Sequence, residues 1–251
     1  MNLLLSLRAE FRKTKRTAVW PFALGAAAFI PVMYFFNGFD SNDPELITDP
    51  WGSLVRKGFF AFGGGIFPLF TTLCCALVPQ IEYRNDTWKQ VRITPQPPLL
   101  LFFGKYVQIL LILLYTLVLF NAMLFAAAGG KHLLHPGLGY GNHPFDPKPW
   151  LVLNGRIFVS LLGLSALYFW LGLRFRNFIV PVATGFVFWL LGCWLLFDAE
   201  VDAAAVIPHT LPALVVTDEK TGNWLPVELT SLVYGAGFLV LGYIDFRRMK
   251  H

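Results

Sequence analysis

The sequence predicts an all-α, polytopic membrane protein: six transmembrane helices behind an N-terminal amphipathic interfacial helix, with both termini cytoplasmic. Three observations carry that prediction. The 251 residues are 56% hydrophobic and only 14% charged, where soluble domains carry roughly 25% charged residues. The apolar residues gather into six runs near the length of about 20 that a bilayer demands. Lysine and arginine fall unevenly on the segments between those runs. Together these make residues 1–251 a single transmembrane domain, since the stretches outside the runs are too short to bury a core of their own.

Residues 2–17 read as an amphipathic helix. Leu4, Leu7 and Phe11 recur at three- and four-residue spacing, and Arg8, Arg12, Lys13, Lys15 and Arg16 form a cationic flank. Such a helix lies in the headgroup layer. The apolar run at 3–5 is short and the positive charge follows it, so no signal peptide is expected and the first span stays as an anchor.

The spans are expected at about 18–37, 58–80, 99–128, 152–173, 178–197 and 227–246. Lys105, in the first turns of the third, is expected to snorkel to the interface. With both termini inside, the inner segments hold 14 Lys and Arg and the outer segments 6, as the positive-inside rule requires. Only Glu10, Glu82, Asp86 and Asp245 are inner acids. In the outer segment 129–150, Pro136, Pro144, Pro147 and Pro149 favour extended or turned backbone over helix. The outer segment 198–226 holds two short apolar runs, 203–208 and 211–216, that either re-enter the membrane or cap the bundle.

Chemistry-bearing patterns are sparse. Every charge is expected near a segment end, leaving Thr71, Thr72, Gln108, Thr116, Asn121, Ser160, Ser165 and Thr184 as weakly polar groups for helix packing. That pattern offers no proton relay. There is no GxxxxGK[ST] loop, so ATP and Mg are left to another subunit and the chain needs no cofactor of its own. Cys74, Cys75 and Cys193 lie within apolar runs and read as small core residues. His132, His135, His143 and Asp146 share one outer loop, where a solvated loop is favoured over a metal site. No HExxH or GxSxG pattern supports catalysis, so the chain is not expected to be an enzyme. Gly63, Gly64 and Gly65, followed by Pro68, mark the second span as a flexible or dimer-side helix, or else as tightly packed within the monomer.

The most informative stretch joins the second and third spans. Glu82-Tyr-Arg-Asn-Asp-Thr-Trp-Lys89 and Pro95 form a charged hairpin between two membrane-length apolar runs. Its backbone and charges need water, and its basic excess places it inside. This hairpin, the basic helix ending Phe11-Arg-Lys-Thr-Lys-Arg16 and the six-span layout resemble the permease subunits of type 2 ABC exporters, most closely those of the lantibiotic-immunity and bacitracin-export kind. The resemblance implies a bacterial cytoplasmic membrane, a cytoplasmic ABC ATPase subunit as partner, a second permease copy or paralogue, and an amphipathic peptide or lipid-like compound as cargo. It makes Glu82, Arg84, Asp86, Thr87, Trp88 and Lys89 the ATPase contacts, and residues 8–13, with Arg8, Phe11, Arg12 and Lys13, part of the family's surface helix. Nucleic acid is not an expected partner. The alternative is a membrane scaffold or sensor that moves no substrate and uses the 81–97 hairpin only for docking.

Overall fold

The structure, a computed structural model, describes residues 3–37, 49–84, 97–135, 140–141, 143–197, 206–217 and 225–248. Among them there is only helix and turn. The helices are α1 (Leu3–Thr14), α2 (Val19–Asn37), α3 (Pro50–Arg84), α4 (Pro98–Leu134), α5 (Pro147–Arg174), α6 (Ile179–Phe197), α7 (Leu211–Thr217) and α8 (Leu225–Arg248). Six of them, α2 to α6 and α8, are long and apolar enough to cross a membrane.

The helices outrun the expected spans for local reasons. Helix α3 starts at Pro50, because Asp49 caps it by accepting the Gly52 N–H at 2.9 Å and proline suits a first turn. Helix α5 starts at Pro147 in the same way, with the Asp146 carboxylate accepting the Lys148 N–H at 3.0 Å. Pro147 and Pro149 therefore begin a helix; they do not break one, which corrects the extended backbone expected there. Helix α4 runs 37 residues to Leu134. At 1.5 Å per residue it is longer than a hydrocarbon core of roughly 30 Å, so its first turns are free to pack against α1.

Two prolines set the packing of α3. Pro68 has no N–H for the Gly64 carbonyl, and the backbone over Phe62–Ile66 relaxes into a π turn in which the Phe67 N–H reaches back to the Phe62 carbonyl. The Gly64 carbonyl instead accepts the Trp189 indole N–H of α6 at 3.0 Å. Pro79 likewise leaves the Cys75 carbonyl without its helical donor. Gly172 of α5 sits on that carbonyl so closely that a Cβ there would lie 2.5 Å from the oxygen. Helix α8 packs chiefly on α5, where Ser231 Oγ accepts the Gly163 N–H at 2.9 Å and contacts the Ser160 carbonyl. Small residues and hydroxyls thus make the close crossings that membrane helices need.

The weakly polar groups are satisfied partly within their own helices and partly across them. Thr71, Thr72 and Thr116 donate to carbonyls one turn back, and Ser165 pairs with Tyr106 at 3.0 Å. Cys74 and Cys75 are buried thiols, while Cys193 is only half-buried. Helix α7 is one of the two short apolar runs. It packs on α5 and the π turn of α3, with Leu211, Ala213 and Val215 buried.

Candidate functional site

Helix α1 presents three different faces. Arg8, Arg12, Lys15 and Arg16 are exposed, and Leu7 and Phe11 are half-buried. Ser6, Glu10 and Thr14, at four-residue spacing, are buried against the first turns of α4. A polar stripe seated on another helix was not expected from the apolar and basic periodicities.

That stripe meets a buried ionic cluster. Lys105 of α4, only 1% exposed, donates to Glu10 Oε2 at 2.7 Å and also to Glu82 Oε1 at the foot of α3. Lys13 bridges the same two carboxylates from the rim, at 2.7 Å from Glu10 and 3.1 Å from Glu82. One turn along α4, Gln108 Nε2 donates to Thr14 Oγ1 at 2.9 Å. Two lysines and two carboxylates balance in charge, which is what allows them to lie away from water. Burial pushes the Glu10 carboxyl up, but Lys105 and Lys13 outweigh it and hold the group below its usual value. Burial likewise pulls the Lys13 ammonium down, and Glu10 and Glu82 more than reverse that.

Two expectations change here. Lys105 does not snorkel; it is the hub of the cluster. Glu82, expected on the charged hairpin, is 1% exposed and turned into the bundle. Arg84 is exposed at the end of α3. Asp86, Thr87, Trp88 and Lys89 lie outside the described residues. The cluster therefore joins α1, α3 and α4 immediately before the hairpin.

A second feature lies along the same helix. Helices α2, α3 and α6 flank an open cleft of about 580 Å³, lined by residues that include Phe22, Gly25, Phe29, Leu73, Phe178 and Phe186. Its far end on α3 reaches Ile66, the last residue of the π turn. Gly63 and Gly64 are packed within that turn, since a Cβ on Gly64 would stand 3.2 Å from the Ala213 Cβ of α7, whereas a Cβ on Gly65 would meet nothing within 4 Å.

The remaining candidates are structural in their contacts. Asp146 caps α5. His132 lies edge-on to Tyr140, and the His143 carbonyl accepts the Trp51 indole at 3.2 Å. Among the described residues, no three His, Cys, Asp or Glu side chains are placed to share a metal ion. Arg156, in the third turn of α5, is buried and paired with Glu228 in the first turn of α8. Asn121, Asn154 and Trp150 form a further polar link between α4 and α5.

The sequence carried one signal for the cluster that periodicity missed. Glu10 is the only acid in a strongly basic helix, on the face shared by Ser6 and Thr14. Of its two partners, Lys13 is one turn along α1, but the buried one, Lys105, stands 95 residues away, so nothing local announces the cluster.

No curated protein matches the chain. A family model described as ABC-2 family transporter protein matches residues 6–192, which takes in α1, the ionic cluster, the hairpin and the cleft. The chain is therefore a multi-pass permease component of an ABC transporter, a class that works with an ATPase subunit, and it belongs to the ABC-2 transporter family.

Proposed function

We propose that this permease is the transmembrane subunit of an ATP-driven exporter, and that it expels an amphipathic peptide or lipid-like compound from a bacterial cytoplasmic membrane. The observation that carries the reading is the cluster of Glu10, Lys13, Glu82 and Lys105. It ties the foot of α3, the start of α4 and the surface helix α1 into one unit next to the hairpin. A displacement of the hairpin would reach all three elements together.

In this mechanism the ATPase docks on the hairpin through Arg84, Asp86, Thr87, Trp88 and Lys89. A tryptophan among charged residues suits an interface anchor. Glu82 holds the hairpin's root and does not touch the partner. ATP and Mg are bound by the partner. Its closure tilts α3, and with it the α2 and α6 helices that share the cleft, against a second permease copy. The π turn gives α3 a place to bend. The basic excess on the hairpin side puts that side, and both termini, in the cytoplasm. Resemblance to lantibiotic-immunity and bacitracin-export permeases supports antimicrobial peptide immunity as the setting.

The test is a mild-detergent pull-down of the tagged chain with mass spectrometry. A stoichiometric ATPase bearing a GxxxxGK[ST] loop is expected. In the reconstituted complex, Trp88→Ala with Lys89→Ala should uncouple ATP hydrolysis from transport while membrane insertion stays intact. Unchanged coupling in that double variant excludes the hairpin as the docking element.

A further inference from the structure

The segment between α6 and α8 enters the bundle as a wedge. Residues 206–210 form a turn, and α7 follows. Helix α7 lies on the π turn of α3: the Ala213 Cβ faces Gly64, and a Cβ on Gly63 would meet the Pro212 carbonyl at 3.7 Å. The turn before it lies on α6, where a Cβ on Gly192 would stand 2.7 Å from the Thr210 methyl. From α8, the Tyr234 hydroxyl donates to the Val206 carbonyl at 3.0 Å. Small residues on α3 and α6 thus make room for the wedge.

His209 is the one ionisable side chain in residues 206–217. Its ring stacks on Phe188, halfway along α6, with centroids 6.2 Å apart, and lies edge-on to Tyr168 of α5 at 5.2 Å. It is buried, and neither ring nitrogen has a hydrogen-bond partner among the described residues. The titratable groups around it are neutral: Tyr168, Tyr234 of α8, and Cys193 beside Gly192 on α6. The charge of Glu228 on α8 is already matched by Arg156 of α5, and the outer turns of α3 bring only the cations Arg56 and Lys57. An ionisable group this deep between membrane helices, with no partner, is a site in search of a ligand. We propose that His209 is a proton-binding site, and that a proton taken from the face opposite the hairpin drives the wedge out from between α3 and α6. The neutral imidazole packs as a ring, whereas an imidazolium in the same seat has no counter-charge. The proton is therefore bound in the transiently opened state and holds it open. Release reaches the π turn directly, because Ala213 leaves Gly64. It also reaches the turn through Phe188, whose neighbour Trp189 donates to the Gly64 carbonyl. A consequence for transport rests on the export reading above; the release itself does not.

The test uses the full chain in lipid nanodiscs without ATPase or ATP, and the proton is the only ligand varied. Hydrogen-exchange protection factors, with intrinsic exchange divided out, are followed from pH 7 to 4.5. They should fall together at Leu211–Thr217 and at Phe62–Phe67, by about tenfold for each pH unit below about 6.5. Amides around Lys105 should keep their protection. His209→Phe should flatten both profiles; if that variant does not elute as a single species, His209→Gln decides in its place. A second variant pins the wedge: Gly64→Cys with Ala213→Cys, on a Cys193→Ala background, brings two Cβ atoms close to disulfide spacing. Oxidised, it should keep the turn protected at pH 4.5, and reduction should restore the fall. A fall confined to α7 with the turn unmoved overturns the inference. So does a fall that survives without the histidine, a fall at the turn in the oxidised pair, or failure of that pair to cross-link at pH 7. Because no ATPase is present, a failed export reading leaves the pH profile in place, and a flat profile leaves the pull-down unchanged.

Discussion

Lys105 of α4 and Glu82 of α3 are ion-paired with side chains 2% and 1% exposed, and Glu10 of α1 shares the same ammonium. A buried pair adds little net stability over an apolar one, but removing one partner strands the other's charge. Lys105→Met leaves two carboxylates to a single half-exposed lysine, Lys13. The expected cost is about 3–5 kcal/mol, seen as a fall on the order of 10 °C in the detergent melting temperature. Lys13→Met should shift it far less, since Lys105 still holds both acids. Adding Glu10→Gln and Glu82→Gln to Lys105→Met should recover much of the loss, because no buried charge is then unpaired.

The six spans were legible because length and apolarity decide membrane helices almost alone. The π turn was legible in outline, since Gly63-Gly-Gly65 before Pro68 cannot hold a regular helix as well as other sequences can. The cluster was not legible. Lys105 in an otherwise apolar first turn satisfies the snorkelling rule, and only the three-dimensional return of α1 onto α4 shows that it points inward. The helix start at Pro147 was missed because proline was read as a breaker, while Asp146 had already made it a capped first turn; Pro50 after Asp49 is a start of the same kind.

Gly172 supports a second prediction. A Cβ there would stand 2.5 Å from the Cys75 carbonyl and 3.3 Å from Ala76 Cα, both backbone atoms that cannot rotate away. Gly172→Ala must push α3 from α5, at a cost of about 1–3 kcal/mol. Gly237→Ala on α8 meets nothing within 4 Å and should stabilise its helix by up to about 1 kcal/mol. Melting temperatures of the two variants should therefore move in opposite directions. A matching rise in both would mean that α3 and α5 are not in contact at this crossing.

Trp189 supports a third. Its indole N–H is the donor that satisfies the Gly64 carbonyl, at 3.0 Å, after Pro68 has removed the helical one. Trp189→Phe keeps the ring and removes the donor, leaving a carbonyl of the π turn unpaired at a cost of about 1–3 kcal/mol. The effect should be local. Hydrogen exchange of the amides in Phe62–Phe67 is expected to quicken, while amides at the Lys105 cluster keep their protection. Unchanged exchange at the turn would show that the indole does not hold it.

His209, between α6 and α7, is 2% exposed, and neither of its ring nitrogens has a hydrogen-bond partner among the described residues. It stacks on Phe188 and lies edge-on to Tyr168, the titratable ring against it. Burial pulls its pKa from 6.5 to about 4, so the folded protein keeps a neutral imidazole. Because the folded value is the lower one, the unfolded state takes up the proton first as pH falls. The stability tied to this site is complete above about pH 6.5 and is lost progressively down to about pH 4, a loss of roughly 3 kcal/mol. Between pH 7 and 4.5 the segment around α7 should thus loosen, read as lower protection factors at Leu211–Thr217 once the slower intrinsic amide exchange at low pH is divided out. His209→Phe keeps a ring between Phe188 and Tyr168 but cannot be protonated, so it should abolish the pH dependence in this window. If the dependence survives in that variant, another group controls how α7 is held.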